Sequence, residues 1–388
     1  MNSNFFYPSS VMIGKGIYQK FLDTNDLHIS RLFVITGKKS MQDAGVLNKI
    51  KELTKKHGVE CFIFSGIESS PTNSQVDKIC QLSKEFKSDC ILGIGGTSSI
   101  DVAKIVGMQS TNGGKSWDYI NLKERSAKKI LNDSLPVIVI PTTSGGGSES
   151  TPYAVITNSD TKMKKGIKSE KLYPKLAIID LELLELMPKR IVSNSGFDAF
   201  TQSLEAYTSK NSNFISDFFA LKSLELIFLN FEKSWEDSKN IYAREKMAIA
   251  SLLSGLAIGI TDTNLAHAMS HPLSAHYNVP HGIAVLLCTF QSIQFNKSII
   301  NDKYSDVAKL FTGKIKKNHI EVLIENIHKW TKKFGISLCF QDYGIPKTAI
   351  DSFVSDSLKI GGILSNPRSI NSDQLKNLYE KAWAGKID

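Results

Sequence analysis

Four of the chain's eight histidines fall in one segment, AHAMSHPLSAHYNVPHG, as His267, His271, His276 and His281. His267 and His271 are four residues apart, so on a helix they share a face. Pro280 marks a break that would let His281 turn back toward them. Imidazoles converging in apolar surroundings suit a divalent metal or a proton relay. The alternative is a set of ordinary core or surface histidines, and His276 fits that description best. A second segment, SGFDAFTQSLEAY, places Asp198 and Gln202 one helical turn apart, with Glu205 nearby. An acid in an apolar-leaning helix needs a partner; otherwise the segment is a surface helix carrying an acid near its start.

Two glycine-rich turns could hold an anion. In GIGGTSSIDVAK, Gly93 to Lys104, a strand ends, glycines allow a tight turn, and a helix is expected from Ser98. Unpaired N–H groups and the dipole at a helix start attract a phosphate, and small residues let it reach the backbone. The motif is not GxGxxG, because Ser98 stands at the third glycine position, and alone it reads equally as a plain strand–helix turn. The other turn is PTTSGGGSES, Pro141 to Ser150, where three consecutive glycines directly follow a strand. Close approach of a ligand explains that freedom better than a turn does. Thr142, Thr143 and Ser144 could donate to phosphate or ribose.

The elements that must position these residues fall into two halves. The first alternates: RLFVIT, VECFIFS, DCILGIGG and LPVIVIPTTS read as strands, with MQDAGVLNKIKELTKKHG, SQVDKICQLSKEF and SSIDVAKIVGM as helices between them. LAIIDLELLELMP reads as the last strand, closing near Pro188. This alternation predicts an α/β, Rossmann-like, doubly wound domain over residues 1–187. From about Ile191 long amphipathic or apolar segments follow one another, which predicts an all-α domain over residues 188–388.

Bulk composition fits two domains: 388 residues, 41% hydrophobic. No apolar run is long enough to span a bilayer, and the N-terminus lacks a secretory layout. A soluble, cytoplasmic protein is expected, with no membrane partner. The five scattered cysteines form no CxxC and read as free thiols in a reducing compartment. A net charge of +9 comes from local lysine clusters, without zinc-finger spacing or an RNA-binding aromatic motif. That predicts a lysine-rich solvated surface with some attraction for anionic ligands, and no nucleic-acid partner.

Taken together, these segments resemble the iron-containing alcohol dehydrogenases, relatives of dehydroquinate synthase and glycerol dehydrogenase. GGTSSIDVAK is similar to the family's GGGSxxDxAK, PTTSGGGSE to PTTAGTGSE, FDAFTQSLEAY to DALTHAIEAY, and HAMSHPLSAHYNVPHG to HAMAHPLGxxYxxPHG. The four motifs occur in the family's order and cover essentially the whole chain. The resemblance implies a dehydroquinate synthase-like fold with an NAD(P)-binding half and a helical half that holds a metal in the cleft between them. A homodimer is compatible with it. Carried over by position, Gly95, Gly96, Thr97 and Ser98 would touch the pyrophosphate, with Asp101 and Lys104 in the same motif. Thr142, Thr143 and Ser144 would line the nucleotide site. Asp198, His267 and His281 would be metal ligands, with the 202 position completing the set. His271 would sit near nicotinamide and substrate.

Two departures matter. Thr97 replaces a glycine and narrows the phosphate turn. Gln202 stands where the family has a liganding histidine, and an amide oxygen is the poorer ligand. The expectation is weakened binding of a divalent metal, iron or zinc, with an open coordination place; the alternative is no metal at all. Some phosphonoacetaldehyde reductases of the family carry a glutamine here, which makes an anionic aldehyde a candidate substrate. After the first strand, Gly37 stands where an aspartate would favour NAD, followed by Lys38, Lys39 and Ser40. Removing an anion and adding cations predicts NADP(H) over NAD(H). The implied function is a metal-assisted alcohol dehydrogenase or aldehyde reductase acting on a small alcohol–aldehyde pair. A lyase of the dehydroquinate synthase type and a non-catalytic nucleotide-binding protein are the rival readings.

Overall fold

A computed structural model describes residues 5–23, 27–122, 124–314 and 318–387. Two compact units emerge. One comprises Phe6–Thr143 and Gly147–Met187; the other gathers Ser144–Gly146 and the chain from Pro188 onward.

The first unit is built on a six-stranded, wholly parallel sheet. Its elements run β1 (Ser10–Gly14), β2 (Arg31–Gly37), α1 (Ser40–Asp43), α2 (Val46–Lys56), β3 (Glu60–Ile67), α3 (Asn73–Glu85), β4 (Cys90–Gly95), α4 (Thr97–Asn112) and β5 (Val137–Pro141). A two-stranded antiparallel ribbon follows, β6 (Tyr153–Thr157) and β7 (Lys164–Lys168), and then β8 (Leu176–Asp180) and the short α5 (Leu181–Glu185). Strand order is β1-β8-β5-β4-β2-β3. β2, β4, β5 and β8 are apolar in nearly every position because helices cover both faces. Phe33 and Ile35 of β2 pack into one core, while Leu32 and Val34 pack into the other.

Several elements differ from the sequence expectation. The edge strand β1 and the β6–β7 ribbon were not foreseen. The segment MQDAGVLNKIKELTKKHG forms two helices, because Gly45 adopts φ 71° between them. LAIIDLELLELMP is not one strand. It stops at Asp180, whose carboxylate accepts from the Glu182 amide at 2.9 Å and so caps α5. The same carboxylate accepts from Gly16 N (3.1 Å) and Tyr18 N (2.8 Å), fastening the chain beyond β1 to the end of its partner strand.

The second unit is helical: α6 (Lys189–Thr208), α7 (Phe214–Glu236), α8 (Ile241–Thr261), α9 (Leu265–Tyr277), α10 (His281–Asn296), α11 (Asn301–Thr312), α12 (His319–Phe334), α13 (Ile350–Ser357) and α14 (Ser372–Trp383). α6 is buried along most of its length, as a central core helix must be. Phe197 and Phe200 on α6 pack into an aromatic cluster with Phe231 and Trp330. Among the described residues no single helix is long and apolar enough to cross a membrane.

Candidate active site

In the sheet unit, the strand order reverses between β2 and β4: β3 lies on one side of β2 and β4 on the other. With β1 set aside the order is that of a flavodoxin-like 2-1-3-4-5 sheet, whose ligands bind outside the carboxyl ends of the strands at this switch. Gly37 ends β2 and Gly95 ends β4. Gly95 has φ 142°, and a Cβ there would lie 2.8 Å from Ser99 Oγ. Gly96 precedes α4 without any side-chain cap, so the first amides of that helix are left for another acceptor. Thr142 N donates to Gly95 O at 2.9 Å, and a Cβ on Gly96 would stand 3.6 Å from Thr143 Cγ2. The ends of β2, β4 and β5 thus bring Gly37, Gly95, Gly96, Thr97, Thr142 and Thr143 to one edge of the sheet. Ser98 is also there, its hydroxyl donating to Ser69 O at 2.9 Å. The arrangement gathers small residues and the first amides of α4 at one edge of the sheet, as an anion cradle made mostly of backbone would.

Asp101, expected at the cofactor, lies inside the protein instead. It accepts from Ser148 Oγ, and from Val155 N at 2.9 Å. Lys104 is fully buried and donates to Ser148 O and Thr151 O, both at 2.9 Å. Burial pulls the Lys104 ammonium down to about 8, against the pull of Asp101 and Glu149. The pair ties α4 to the segment that follows β5. Its residue types pointed to charge chemistry; the burial that makes it internal was not readable locally. Lys38 Nζ contacts Glu68 Oε1 at 2.9 Å, with both side chains exposed. Ser144 Oγ is buried and makes no hydrogen bond.

In the helical unit, Asp198, Gln202 and Glu205 follow one another along α6, and His267 and His271 are a turn apart on α9. α9 ends at Asn278 in the left-handed region (φ 55°), and α10 starts after Pro280 with His281 as its first residue. The next residue explains how His281 reaches α6. A Cβ on Gly282 would lie 1.8 Å from Asn194 O and 3.2 Å from Asp198 Cβ, so only glycine permits this approach. Ile283 N donates to Asn194 Oδ1 at 3.2 Å and closes the junction.

Three potential ligand atoms result, one each from Asp198, His267 and His281, all within 4.8 Å of one another. Asp198 Oδ1 stands 3.4 Å from His267 Nε2 and 3.8 Å from His281 Nε2. Atoms bound tetrahedrally to zinc at about 2.1 Å stand about 3.4 Å apart, so the spacing fits a metal. His267 Nε2 is buried and faces Asp198 Oδ1, as two ligand atoms of one cation would.

Glu205 supplies the outer support, a role the sequence reading missed. Its Oε2 lies 2.5 Å from His267 Nδ1, which fixes that nitrogen as the proton carrier and turns Nε2 toward Asp198. The same carboxylate accepts from Asn264 N (3.0 Å), Ala266 N (2.6 Å) and His267 N (3.3 Å), capping α9. Burial lowers the His267 pKa, but the neighbouring Glu205 and Asp198 carboxylates outweigh it and carry the imidazole up to about 9. The available signal was a glutamate in an otherwise apolar helix, one turn beyond Gln202.

Gln202, expected among the ligands, does not present its oxygen to the cluster. Its Nε2 donates to Asp198 Oδ1 (3.2 Å) and Gly146 O (3.3 Å), while Ser254 Oγ contacts its Oε1 at 3.1 Å. His271 is half-buried, with its ring 6.1 Å from that of His281. His276 lies apart, against Asp356 and the Phe353 ring.

A parallel sheet with an anion cradle at its switch point, joined in sequence to helices bearing an Asp–His–His cluster, defines a dinucleotide-dependent oxidoreductase with a metal centre. The chain belongs to the iron-containing alcohol dehydrogenases: that family matches residues 8–181, and the family's C-terminal region matches residues 192–383. It is 31% identical to a 1,3-propanediol dehydrogenase of Klebsiella pneumoniae over 75% of each chain. It is 29% identical to an NADPH-dependent butanol dehydrogenase of Clostridium saccharobutylicum over 76% of each. The structure of a sulfoacetaldehyde reductase from Bifidobacterium kashiwanohense in complex with NAD+ superposes with a TM-score of 0.87 at 26% identity, covering 99% of each chain. The protein is an oxidoreductase acting on CH–OH groups.

Proposed function

We propose that this enzyme reduces a small aldehyde bearing an anionic group, with phosphonoacetaldehyde as the candidate, and uses NADPH in preference to NADH. The observation that carries the metal-assisted part is the Asp198–His267–His281 cluster with Glu205 behind it. Those three side chains would hold a divalent cation, which would supply Lewis acidity toward a carbonyl. NADPH supplies the hydride, so that aldehyde, NADPH and a proton give alcohol and NADP+. The protein's part is to bind and orient. Asp198 contributes negative charge, His267 and His281 contribute neutral nitrogens, and Glu205 holds the His267 tautomer. His271, one turn beyond His267, or a ribose hydroxyl of the cofactor would deliver the proton that the product alkoxide needs.

A sulfoacetaldehyde reductase among the structural relatives supports an anionic aldehyde. The cofactor preference rests on Gly37, Lys38 and Lys39. Lys38 shares its charge with Glu68, but an exposed pair of this kind is weak and yields readily to a phosphate. A Cβ on Gly37 would meet nothing within 4 Å, so a side chain can be added there without strain.

The test is NADPH oxidation with neutral, sulfonated and phosphonylated aldehydes of similar size. The highest kcat/KM is expected for the phosphonylated one; a neutral aldehyde in first place refutes the substrate class. Gly37→Asp should move the NADPH:NADH ratio of kcat/KM at least about tenfold toward NADH. A wild-type preference for NADH refutes the cofactor reading.

A further inference from the structure

We infer that Gln202 serves the centre as a hydrogen-bond donor that orients Asp198, not as a ligand, and that the site is left with three protein ligands for a divalent cation. The inference rests on reading Asp198, His267 and His281 as that site.

The orientation of the amide is fixed by what surrounds it. Asp198 Oδ1 at 3.2 Å and Gly146 O at 3.3 Å can only accept, so the group facing both must be the NH2. Turning the amide over would set its oxygen against a carboxylate and a carbonyl. The third neighbour, Ser254 Oγ, has one proton and two acceptors in reach, Gln202 Oε1 at 3.1 Å and Ser251 O at 2.8 Å. A hydroxyl can serve an amide oxygen or an amide nitrogen, so Ser254 does not decide the matter; the two obligate acceptors do. Gln202 is buried on α6, and Asp198 is one turn away on the same helix. The two are thus held in one register by the helix itself.

Two consequences follow for the ion. Asp198 Oδ1, which faces both imidazoles, already accepts one hydrogen bond, which fixes its direction. The place at 202 offers N–H protons to the centre, where a cation calls for a lone pair. The centre has three protein donors, and its affinity is set by them.

The test uses full-length protein stripped by a chelator, titrated calorimetrically with Zn2+ and spectroscopically with Co2+, whose visible absorption reports ligand number and type. Three forms are compared: wild type, Gln202→Leu and Gln202→His. Losing an outer-shell partner costs about 10–100-fold in metal affinity, so Gln202→Leu should fall in that range and keep the wild-type Co2+ band pattern. Gln202→His should bind Zn2+ at least about tenfold tighter and change the band pattern, because an imidazole nitrogen replaces N–H donors. An altered Co2+ spectrum in correctly folded Gln202→Leu, checked by circular dichroism, would show that Gln202 is a ligand and overturns the inference. So does a Gln202→His variant with unchanged affinity. If wild type takes up no ion but Gln202→His does, metal-assisted catalysis falls while the role of Gln202 stands. If neither binds, both fall.

Discussion

The anion cradle at the sheet edge and the histidine centre in the helical unit are made of different material. The cradle consists of backbone amides at a helix start and of glycines that clear a path to them. Side chains contribute little to it, and Thr97 serves there as the first residue of α4. The centre consists of side chains, each used at a specific atom. Asp198 Oδ1 faces both imidazoles, His267 turns Nε2 toward it because Nδ1 is committed to Glu205, and Gly282 lets α10 approach α6. A site made of backbone tolerates exchange of residues, whereas a site made of side chains does not.

That contrast can be broken from either end. His267→Ala should lower kcat/KM about 1000-fold or more, several kcal/mol of lost carbonyl polarisation, and bound metal should disappear from elemental analysis. Retained activity would remove the centre from the chemistry. Gly282→Ala forces a methyl group onto the Asn194 carbonyl and should cost about 3 kcal/mol or more in urea unfolding, together with metal content. If it is as stable as wild type, close packing of the two helices is not what places His281.

Glu205→Gln sharpens the comparison through pH. The raised His267 pKa means that, in metal-stripped protein, the imidazolium stabilises the fold fully below the usual value of 6.5 and loses this contribution as pH rises through about 9. Tm of stripped wild type should therefore fall across that interval. Glu205→Gln should flatten the fall and weaken Zn2+ binding about 10–100-fold. A profile identical to wild type would show that Glu205 does not act on the imidazole. The smallest effect is expected in the cradle: Thr97→Gly should change KM for NADPH less than about threefold and stability by about 0.5 kcal/mol. A large loss there would mean that the cradle, too, depends on a particular side chain.

The same contrast explains what could be read in the sequence. The glycine turns announced themselves, because GIGG and GGG after apolar strands have few other uses. The histidine segment was legible from density and from the i, i+4 spacing of His267 and His271. The orientation of Gln202 was not, since it depends on the Gly146 carbonyl, some fifty residues away along the chain. Asp101 looked like a ligand contact because its motif is a ligand motif; its burial against Ser148 and Val155 is a tertiary fact. β1 was missed because, at the sheet edge, its residues are only partly buried and leave no continuous apolar run. α5 was hidden inside an apolar run whose only stop signal was Asp180. The strands β2, β4, β5 and β8 and the helices around them were clear because burial on both faces leaves continuous apolar runs.

One carboxylate gives the molecule a built-in gauge. Glu205 grips the Ala266 and His267 amides with one oxygen and steadies the imidazole with the other. Whatever relaxes that grip loosens the opening turn of α9 as well. Deuterium uptake at those two amides would then read out, from the backbone alone, whether the centre is loaded.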